Sequence, residues 1–555
     1  MDFPNGEKLN FKYLVCAVYG VSLASLAQTL PEAGAIQQQM EREHRPALPR
    51  LQPKATTPAP LPLQTQGELV VEVRAFRFAG NTLLSTPELS AALASYLNQP
   101  LDLNQLQAAA AVAAQLYRDR GWVVRAYLPE QDVEQGVITI QIVEAVFGGI
   151  QFDPLAQPGR VTREQIQAIF DAQIQPGQTL SQQALERALL LGDDLAGVAV
   201  TGALAEGDAS GQTAMRVKLT DEPFVAGDVT LDNAGSRSTG RNRALANLQL
   251  NSPTGLGDQM SLLGLLTDGT RYGRVGYTLP AGNDGWRVGV NGSYLEYKIV
   301  TQDIAADVRG TSSVLGLEAS YPLLRTRLRN AYLNLGADHK TFDNQYNQAT
   351  STQYHSTVYN AGLSGNSFDN LGGGGANSAS AVLSVGRLTN QVQAEATQGQ
   401  FSKLRYQLRR QQGLTSGLSA TAMFSGQWAN RNLDSSEKFY LGGASGVRAY
   451  PPSEGGGAMG QMLNLDLRQQ LSDGFNAGVF YDWGLFKDRA DGTIAQPMTL
   501  KGWGLALGWQ AESGLNLRAT WSRRLGDNPN PTAIGNDQDG TLVRDRYWLT
   551  ATLPF

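Results

Sequence analysis

The chain has 555 residues, which is enough for several domains. Its 45 lysines and arginines nearly balance its 50 aspartates and glutamates, so the composition carries no basic footprint for nucleic acid. Mean hydropathy is slightly negative. This value does not exclude a membrane protein, because a transmembrane β-barrel alternates lipid-facing and lumen-facing residues.

The first 27 residues have the pattern of a secretory signal peptide. Lys8 and Lys12 precede an apolar run, and a Ser-Leu-Ala sequence ends at residue 27, where a signal peptidase reads small residues. Residues 1–27 are therefore predicted to be removed. The single cysteine, Cys16, lies inside this segment, so we expect no disulfide and no thiolate metal site in the mature chain.

A short helix and an extended linker are predicted next. Residues 28–46 contain a polar helical pattern around Gln37 to Glu43 that ends before Pro46. A helix of this length that is polar on nearly all sides gains little from propensity alone, so it is expected to need a polar cavity to sit in. Residues 47–67 are Pro-rich and are expected to be extended and semi-rigid.

Residues 68–146 and 147–222 are predicted to form two α+β modules with the same β-α-α-β-β order. The first is expected to have strands at 70–78, 123–128 and 137–144 and helices at 87–97 and 103–120; the second is expected to have strands at 149–152, 198–203 and 214–219 and helices at 163–172 and 182–193. In the first module, Phe78-Ala79-Gly80-Asn81 closes the first strand. In the second module, residues 207–211 precede the last strand. Both modules resemble POTRA (polypeptide-transport-associated) domains.

Residues 223–555 are predicted to form a transmembrane β-barrel. They divide into about 16 strand candidates at roughly 20 residues each, which fits a tilted strand of about ten residues plus a turn or loop. After residue 27 the chain has no run of about 18 apolar residues, and a spanning protein without such helices must close a barrel. The last strand carries one apolar face: Tyr547, Leu549, Ala551, Leu553 and Phe555. Phe555 is predicted to be a C-terminal assembly signal.

Catalytic and cofactor chemistry finds little support in the sequence. The three histidines, His44, His339 and His355, do not have a metal-binding spacing. The sequence also lacks a Gly-x-Ser-x-Gly elbow and a nucleotide-binding motif. We therefore predict no catalytic residue, no metal, no cofactor and no enzymatic activity.

One pair of segments is predicted to form a functional site. In the strand around Phe480, alternation places Asn476, Phe480, Asp482 and Gly484 toward the lumen. An inward carboxylate needs a partner or water, and residues 429–459, the longest late loop, contain Arg448. An arginine fork can hold a carboxylate bidentately, so Arg448 is the candidate partner of Asp482.

These segments also carry a family resemblance. Val447, Arg448, Ala449 and Tyr450 resemble the V-R-G-Y/F motif at the tip of the inward-folded sixth loop of POTRA-bearing outer-membrane barrels, and Phe480, Asp482 and Gly484 match the F-x-D-x-G motif of the facing strand. With two modules, a leading helix and a linker, the whole mature chain is similar to the TpsB transporters of two-partner secretion. Ala449 departs from the motif glycine, which puts the fine loop geometry in question.

The resemblance implies a pore in the outer membrane of a Gram-negative bacterium. The pore would secrete a large partner protein of the adhesin, haemolysin or contact-dependent toxin type, without ATP, after capture of its N-terminal secretion domain by the POTRA domains. The leading helix would plug the resting pore, and the barrel-assembly machinery would be a partner during biogenesis. The alternatives are a barrel-assembly insertase, which typically has more POTRA units and no plug helix, a passive porin, and an outer-membrane enzyme.

Overall fold

The computed structural model describes residues 32–43, 70–133, 135–154, 159–209, 211–301, 304, 306–390, 392, 397–452, 454–472, 474–490, 493–494 and 496–555. The predicted signal peptide and Pro-rich linker lie outside these residues. Among the helices described, none is long and apolar enough to cross a membrane.

The first α+β module has a three-stranded sheet covered by helices. Its elements are β1 (Val71–Val73), β2 (Ala75–Ala79), α2 (Thr86–Ala92), a 3-10 turn (Ala94–Tyr96), β3 (Gln99–Leu101), α3 (Leu103–Asp119), β4 (Val124–Tyr127) and β5 (Val137–Glu144). Strand β5 lies between β2, which is parallel to it, and β4, which is antiparallel. A reciprocal capping box between Asp102 and Gln105 starts α3. The predicted strand 70–78 is divided into β1 and β2, and β3 was not predicted.

The second module repeats this topology. It contains β6 (Val146–Phe152), α4 (Arg163–Gln173), α5 (Gln182–Asp193), β7 (Val198–Glu206) and β8 (Gln212–Asp221). Strand β8 lies between the parallel β6 and the antiparallel β7. Each module has its own buried apolar core. The predicted β-α-α-β-β order is present in both.

Sixteen antiparallel strands close into a barrel, as predicted. They are β9 (Val225–Asp232), β10 (Arg243–Asn251), β11 (Gln259–Leu266), β12 (Thr270–Pro280), β13 (Arg287–Lys298), β14 (Val308–Arg325), β15 (Arg329–Tyr346), β16 (Ala349–Asp369), β17 (Gly375–Asn390), β18 (Gly399–Thr415), β19 (Leu418–Ala429), β22 (Met459–Gln470), β23 (Phe475–Lys487), β26 (Met498–Gln510), β27 (Asn516–Arg524) and β28 (Asp545–Pro554). Two-residue strands lie in the loops: β20 (Phe439–Tyr440), β21 (Gly456–Gly457), β24 (Arg489–Ala490) and β25 (Thr493–Ile494).

The seam of the barrel joins the last strand, β28, to the first strand, β9. Its register runs from Thr550 opposite Asp232 to Pro554 opposite Asp228. At the end of the chain, the Phe555 N–H donates to the Gly227 carbonyl at 2.9 Å, and the Gly227 N–H donates to the Phe555 carbonyl at 3.1 Å. The chain terminus therefore takes part directly in closing the barrel.

Helix α1 (Ala33–Glu43) lies in the lumen against β13, β14 and β15. The prediction of a helix that is polar on nearly all sides is wrong in one respect. Ala33, Ile36 and Met40 form a buried stripe that packs on an apolar patch of the inner wall, which includes Tyr297 and Phe342. Residues three and four positions apart share a face of a helix, so these few apolar residues are enough to make one packing surface.

The second module is fixed to the barrel by charged contacts. Arg325 at the end of β14 donates to both carboxylate oxygens of Asp194, at 2.9 and 2.8 Å. Arg287 donates to the Asp194 carbonyl at 2.7 Å, and Arg187 on α5 donates to the Pro322 carbonyl at 2.9 Å. These contacts join the end of α5 to the periplasmic turns of β12 to β15.

Candidate functional site in the barrel lumen

The long loop between β19 and β22 folds into the lumen. We call its described residues, 430–452 and 454–458, the inward loop. Its backbone turns sharply before the predicted motif, where the Val447 N–H donates to the Leu441 carbonyl at 2.7 Å. Val447, Ala449 and Tyr450 are fully buried. The loop is therefore packed inside the barrel rather than exposed at the surface.

Arg448 and Asp482 form a bidentate pair in the lumen. The Arg448 Nε lies 2.9 Å from Asp482 Oδ2, and its Nη2 lies 2.7 Å from Asp482 Oδ1. The Arg448 backbone N–H also donates to Asp482 Oδ2 at 3.0 Å, and Asn464 donates to Oδ1 at 2.8 Å. Asp482 is fully buried. The carboxylate therefore receives four hydrogen bonds, which is what a buried charge requires.

Arg448 makes four further contacts that the sequence did not predict. Its Nη1 pairs with Asp466 Oδ1 at 2.8 Å, and its guanidinium carbon lies 3.5 Å from the centroid of the Phe480 ring. Its carbonyl accepts hydrogen bonds from Ser522 Oγ at 2.7 Å and Trp548 Nε1 at 2.8 Å. Strand parity could have identified Asp466, because it alternates with Leu465 and Leu467 on β22.

Gly484 and Gly502 allow the loop to approach the wall closely. A β-carbon at Gly484 would lie 2.9 Å from Leu441 and 3.1 Å from Val447. A β-carbon at Gly502 on β26 would lie 2.5 Å from that of Ala449. Ala449 does not have a left-handed backbone. The alanine in place of the motif glycine is therefore accommodated by a missing side chain on the facing strand.

The remaining predicted residue, Phe555, lies at the seam and away from this pair. Its ring covers Gly227, where a β-carbon would lie 2.7 Å from the ring. The structure thus brings together the loop and strand motifs, and it places the terminal phenylalanine in a separate contact.

Helix α1 contacts the inward loop directly. Arg42 donates to the Tyr440 carbonyl at 2.6 Å and to the Gly442 carbonyl at 3.3 Å, and Gln38 donates to the Lys438 carbonyl. The helix and the loop therefore form one body inside the lumen.

Ion pairs also fix α1 to the wall. Glu43 lies 2.6 Å from Arg243 on β10, and Glu41 lies 3.5 Å from Lys340 on β15. The same Lys340 lies 3.2 Å from Glu437 of the inward loop, so one cation is shared by the helix and the loop. The sequence pattern did not predict these ion pairs, because they depend on the position of α1 in the lumen.

The inward loop also carries a buried carboxyl group, Glu454. Burial raises the pKa of Glu454 to about 7, and the nearby charge of Asp537 acts in the same direction, while hydrogen bonds from Gln538 and Asn530 oppose the rise. Within the described residues, no group of three or more histidine, cysteine, aspartate or glutamate side chains is placed to hold a metal ion.

A closed barrel with a loop arginine clamped in its lumen, a helix beside that loop and POTRA-type modules ahead of the first strand define a class: POTRA-bearing outer-membrane transporters. The chain belongs to the haemolysin secretion/activation protein family ShlB/FhaC/HecB, whose model matches residues 211–511. The model of the ShlB-type POTRA domain matches residues 71–145.

Several relatives cover most of the chain. The heme/hemopexin transporter protein HuxB of Haemophilus influenzae (strain 86-028NP) is 24% identical over 497 residues, which cover 85% of this chain and 86% of that protein. The outer membrane transporter CdiB of Dickeya dadantii is 25% identical over 451 residues, 78% of each chain.

Solved structures share the fold. CdiB from Escherichia coli aligns with a TM-score of 0.73 and 21% identity, covering 96% of this chain and all of that one. BamA from Haemophilus ducreyi aligns with a TM-score of 0.51 and 14% identity over 87% of this chain. The family assignment favours two-partner secretion over the insertase alternative. The protein is an outer-membrane transporter that exports a partner protein, with its POTRA domain in the periplasm.

Proposed function

We propose that this chain moves one large partner protein, unfolded, from the periplasm to the cell surface without ATP, and that the inward loop and α1 together control the pore. The observation that carries this proposal is the clamp on Arg448. A desolvated arginine held by Asp482 and Asp466 fixes the loop tip against the wall, while α1 occupies the space beside it. A passive porin has no need of a loop and a helix held in this way.

We propose the domain division that follows from the sequence: signal peptide 1–27, plug helix 28–46, linker 47–67, POTRA domains 68–146 and 147–222, and barrel 223–555. Capture of cargo is assigned to the POTRA domains, since a sheet edge can accept an added strand and the groove beside a helix can accept apolar side chains. Edge strands β4 and β7 each pair on only one side within their sheets.

The function is proposed to be transport without catalysis. The sequence lacks a recognisable catalytic set, and the lumen charges described above are engaged in holding the loop and α1. The cargo is proposed to be an adhesin, a haemolysin, a contact-dependent toxin or a haem-acquisition protein. The last of these is supported by similarity to the heme/hemopexin transporter.

The test is a comparison of secreted proteins. The gene is deleted, and the culture supernatant and the cell surface are searched for a large protein that disappears and returns on complementation. Complementation with an Arg448→Ala variant, at equal levels of folded barrel, serves as the matched control. If no protein is lost on deletion, or if other outer-membrane barrels are depleted instead, the proposed secretion function is wrong.

A further inference from the structure

A second loop contacts the inward loop, and the strands that it joins are close to β23 in the barrel, with β26 between them. We call residues 525–544, between β27 and β28, the terminal loop. We propose that Glu454 is a second positioning residue of the inward loop, and that it acts through the terminal loop rather than through Asp482 on β23. The inference rests on the proposed function, because it names a further residue that sets the position of the same loop.

The side chain of Glu454 leaves its own loop and enters the terminal loop. Its Oε2 accepts from the Gln538 backbone N–H at 2.8 Å, and its Oε1 accepts from Asn530 Nδ2 at 3.4 Å. Glu454 is fully buried. Its backbone remains part of the inward loop, since the Gly442 N–H donates to the Glu454 carbonyl at 2.9 Å. One residue therefore connects the two loops.

The terminal loop is itself held in shape by buried charges. Asp537 is fully buried and lies 2.5 Å from Arg524 of β27 and 3.0 Å from Arg546 of β28. Arg546 also pairs with Asp539 at 3.1 Å. Cations from both strands of one hairpin thus converge on the loop that joins them. The Gln538 N–H that meets Glu454 lies between these two aspartates in the chain.

The same network reaches the loop motif. The Arg524 guanidinium lies 4.8 Å from the centroid of the Tyr450 ring. A cation held over an aromatic face stabilises the position of that ring. The Tyr450 ring and the Arg448 carbonyl are therefore held by the β27–β28 hairpin, whereas the Arg448 guanidinium is held by Asp482 and Asp466 on β23 and β22. The loop tip is therefore held by two pairs of neighbouring strands, β22–β23 and β27–β28, with β26 between them.

Removal of the Glu454 carboxyl has a defined local consequence. The Gln538 N–H loses its acceptor in a part-buried place, and leaving a donor without an acceptor away from water is the costly way to break a hydrogen bond. The Arg448–Asp482 pair keeps all of its contacts. A glutamine at this position would keep one carbonyl oxygen for the Gln538 N–H, so the conservative variant should retain the connection between the loops.

The experiment compares Glu454→Ala with Glu454→Gln in the full-length transporter. Outer-membrane vesicles are treated with protease, and cleavage within residues 430–458 is followed along with secretion and the amount of heat-modifiable barrel. We expect the alanine variant to be cleaved about fivefold faster, the ratio that corresponds to the lower end of the cost of an unpaired buried donor. We also expect it to secrete less at an unchanged amount of barrel. The glutamine variant should stay close to wild type in both measurements.

Three outcomes would overturn the proposal. Cleavage and secretion at wild-type levels in the alanine variant would show that Glu454 does not position the loop. An equal loss in the glutamine variant would show that the hydrogen bond to Gln538 is not the reason. A fall in folded barrel that accounts for the lost secretion would show a structural role only. Cleavage does not depend on cargo, so its result stands even if deletion of the gene removes no secreted protein and the proposed function fails.

Discussion

The Arg448 guanidinium serves two carboxylates at once, and this determines what each substitution should do. Arg448→Ala leaves Asp482 buried with fewer donors, and Asp482→Ala leaves the guanidinium with Asp466 alone. Breaking a buried pair typically costs about 3–5 kcal/mol, and a partly wet lumen lowers that figure. We expect either variant to abolish or strongly reduce secretion while the barrel still inserts, as measured by secreted partner and heat-modifiable barrel.

The double variant is the internal control for this pair. Because both substitutions act on one interaction, we expect Arg448→Ala with Asp482→Ala to be little worse than either single change. Secretion at wild-type levels from a single variant would remove the pair from the mechanism. Fully additive losses would show that the two residues act separately.

The contact between Ala449 and Gly502 predicts a compensating pair. A methyl group at Gly502 would lie 2.5 Å from the Ala449 β-carbon, so Gly502→Ala should push the loop tip off the wall and reduce secretion. Restoring the motif glycine with Ala449→Gly should relieve this overlap. We expect the double variant to secrete better than Gly502→Ala alone, at equal amounts of folded barrel. No rescue would show that the defect arises from another contact of the new methyl group, for example with the Arg523 carbonyl on β27.

At the scale of single residues, the sequence predicts the face of a strand on which a side chain lies better than it predicts contacts between loops. Asp482 could be assigned to the lumen because side chains alternate along β23, and the motif supplied Arg448. Glu454 could not be assigned, because its partner depends on how the terminal loop folds over the lumen. The sequence left open whether an alanine fits at position 449, where the motif has glycine. The structure shows that it fits because the facing residue, Gly502, has no side chain.

Among the elements, α1 was expected in the pore from the family resemblance, but its exact position on the inner wall could not be predicted. Its helical pattern was evident, but its seat depends on a stripe of only three apolar residues and on ion pairs to distant strands. The barrel strands were predictable in number because each alternates between lipid and lumen faces, but their lengths range from 8 residues in β9 to 21 in β16 rather than staying near the expected ten. Short β3, with a proline at its centre, has no such pattern.

The position of α1 gives a prediction about conductance. Deletion of residues 30–45 should raise single-channel conductance in planar bilayers while secretion persists, because the helix fills part of the lumen. Gly34→Leu should have a smaller effect in the same direction, since a β-carbon there would lie 2.7 Å from the Tyr354 hydroxyl and 2.9 Å from the Ser436 β-carbon. A variant that keeps the helix intact and has a scrambled linker serves as a control for linker effects. Unchanged conductance on deletion would show that α1 does not plug the pore.

For the whole molecule, the contact of Phe555 at the barrel seam gives a prediction about assembly. Deletion of Phe555 removes two backbone hydrogen bonds to Gly227 and the ring that covers it. We expect a lower amount of folded barrel in the outer membrane, measured by heat-modifiable mobility. Phe555→Tyr keeps the backbone contacts and an aromatic ring, so it should assemble nearly normally. Normal assembly of the deletion variant would contradict the role of Phe555.

The two POTRA-type modules should bind cargo on their own. Each has a separate apolar core, so a soluble 68–222 fragment is expected to fold. We expect it to bind the N-terminal domain of the partner weakly, because a transporter must release what it captures; titration calorimetry or nuclear magnetic resonance would measure this. If two folded fragments do not interact, recognition must lie in the pore.

The second module is joined to the barrel at one end and to the first module at the other. Arg325 and Arg287 hold Asp194 at one end. At the other end a single residue, Ala145, separates β5 from β6 and is bonded to Val123 and Leu180 on either side. We expect these contacts to make the two modules a spacer: a cargo segment bound to the first module would start at a distance from the pore mouth that the modules determine, and that distance would set the number of unfolded residues needed to reach the lumen.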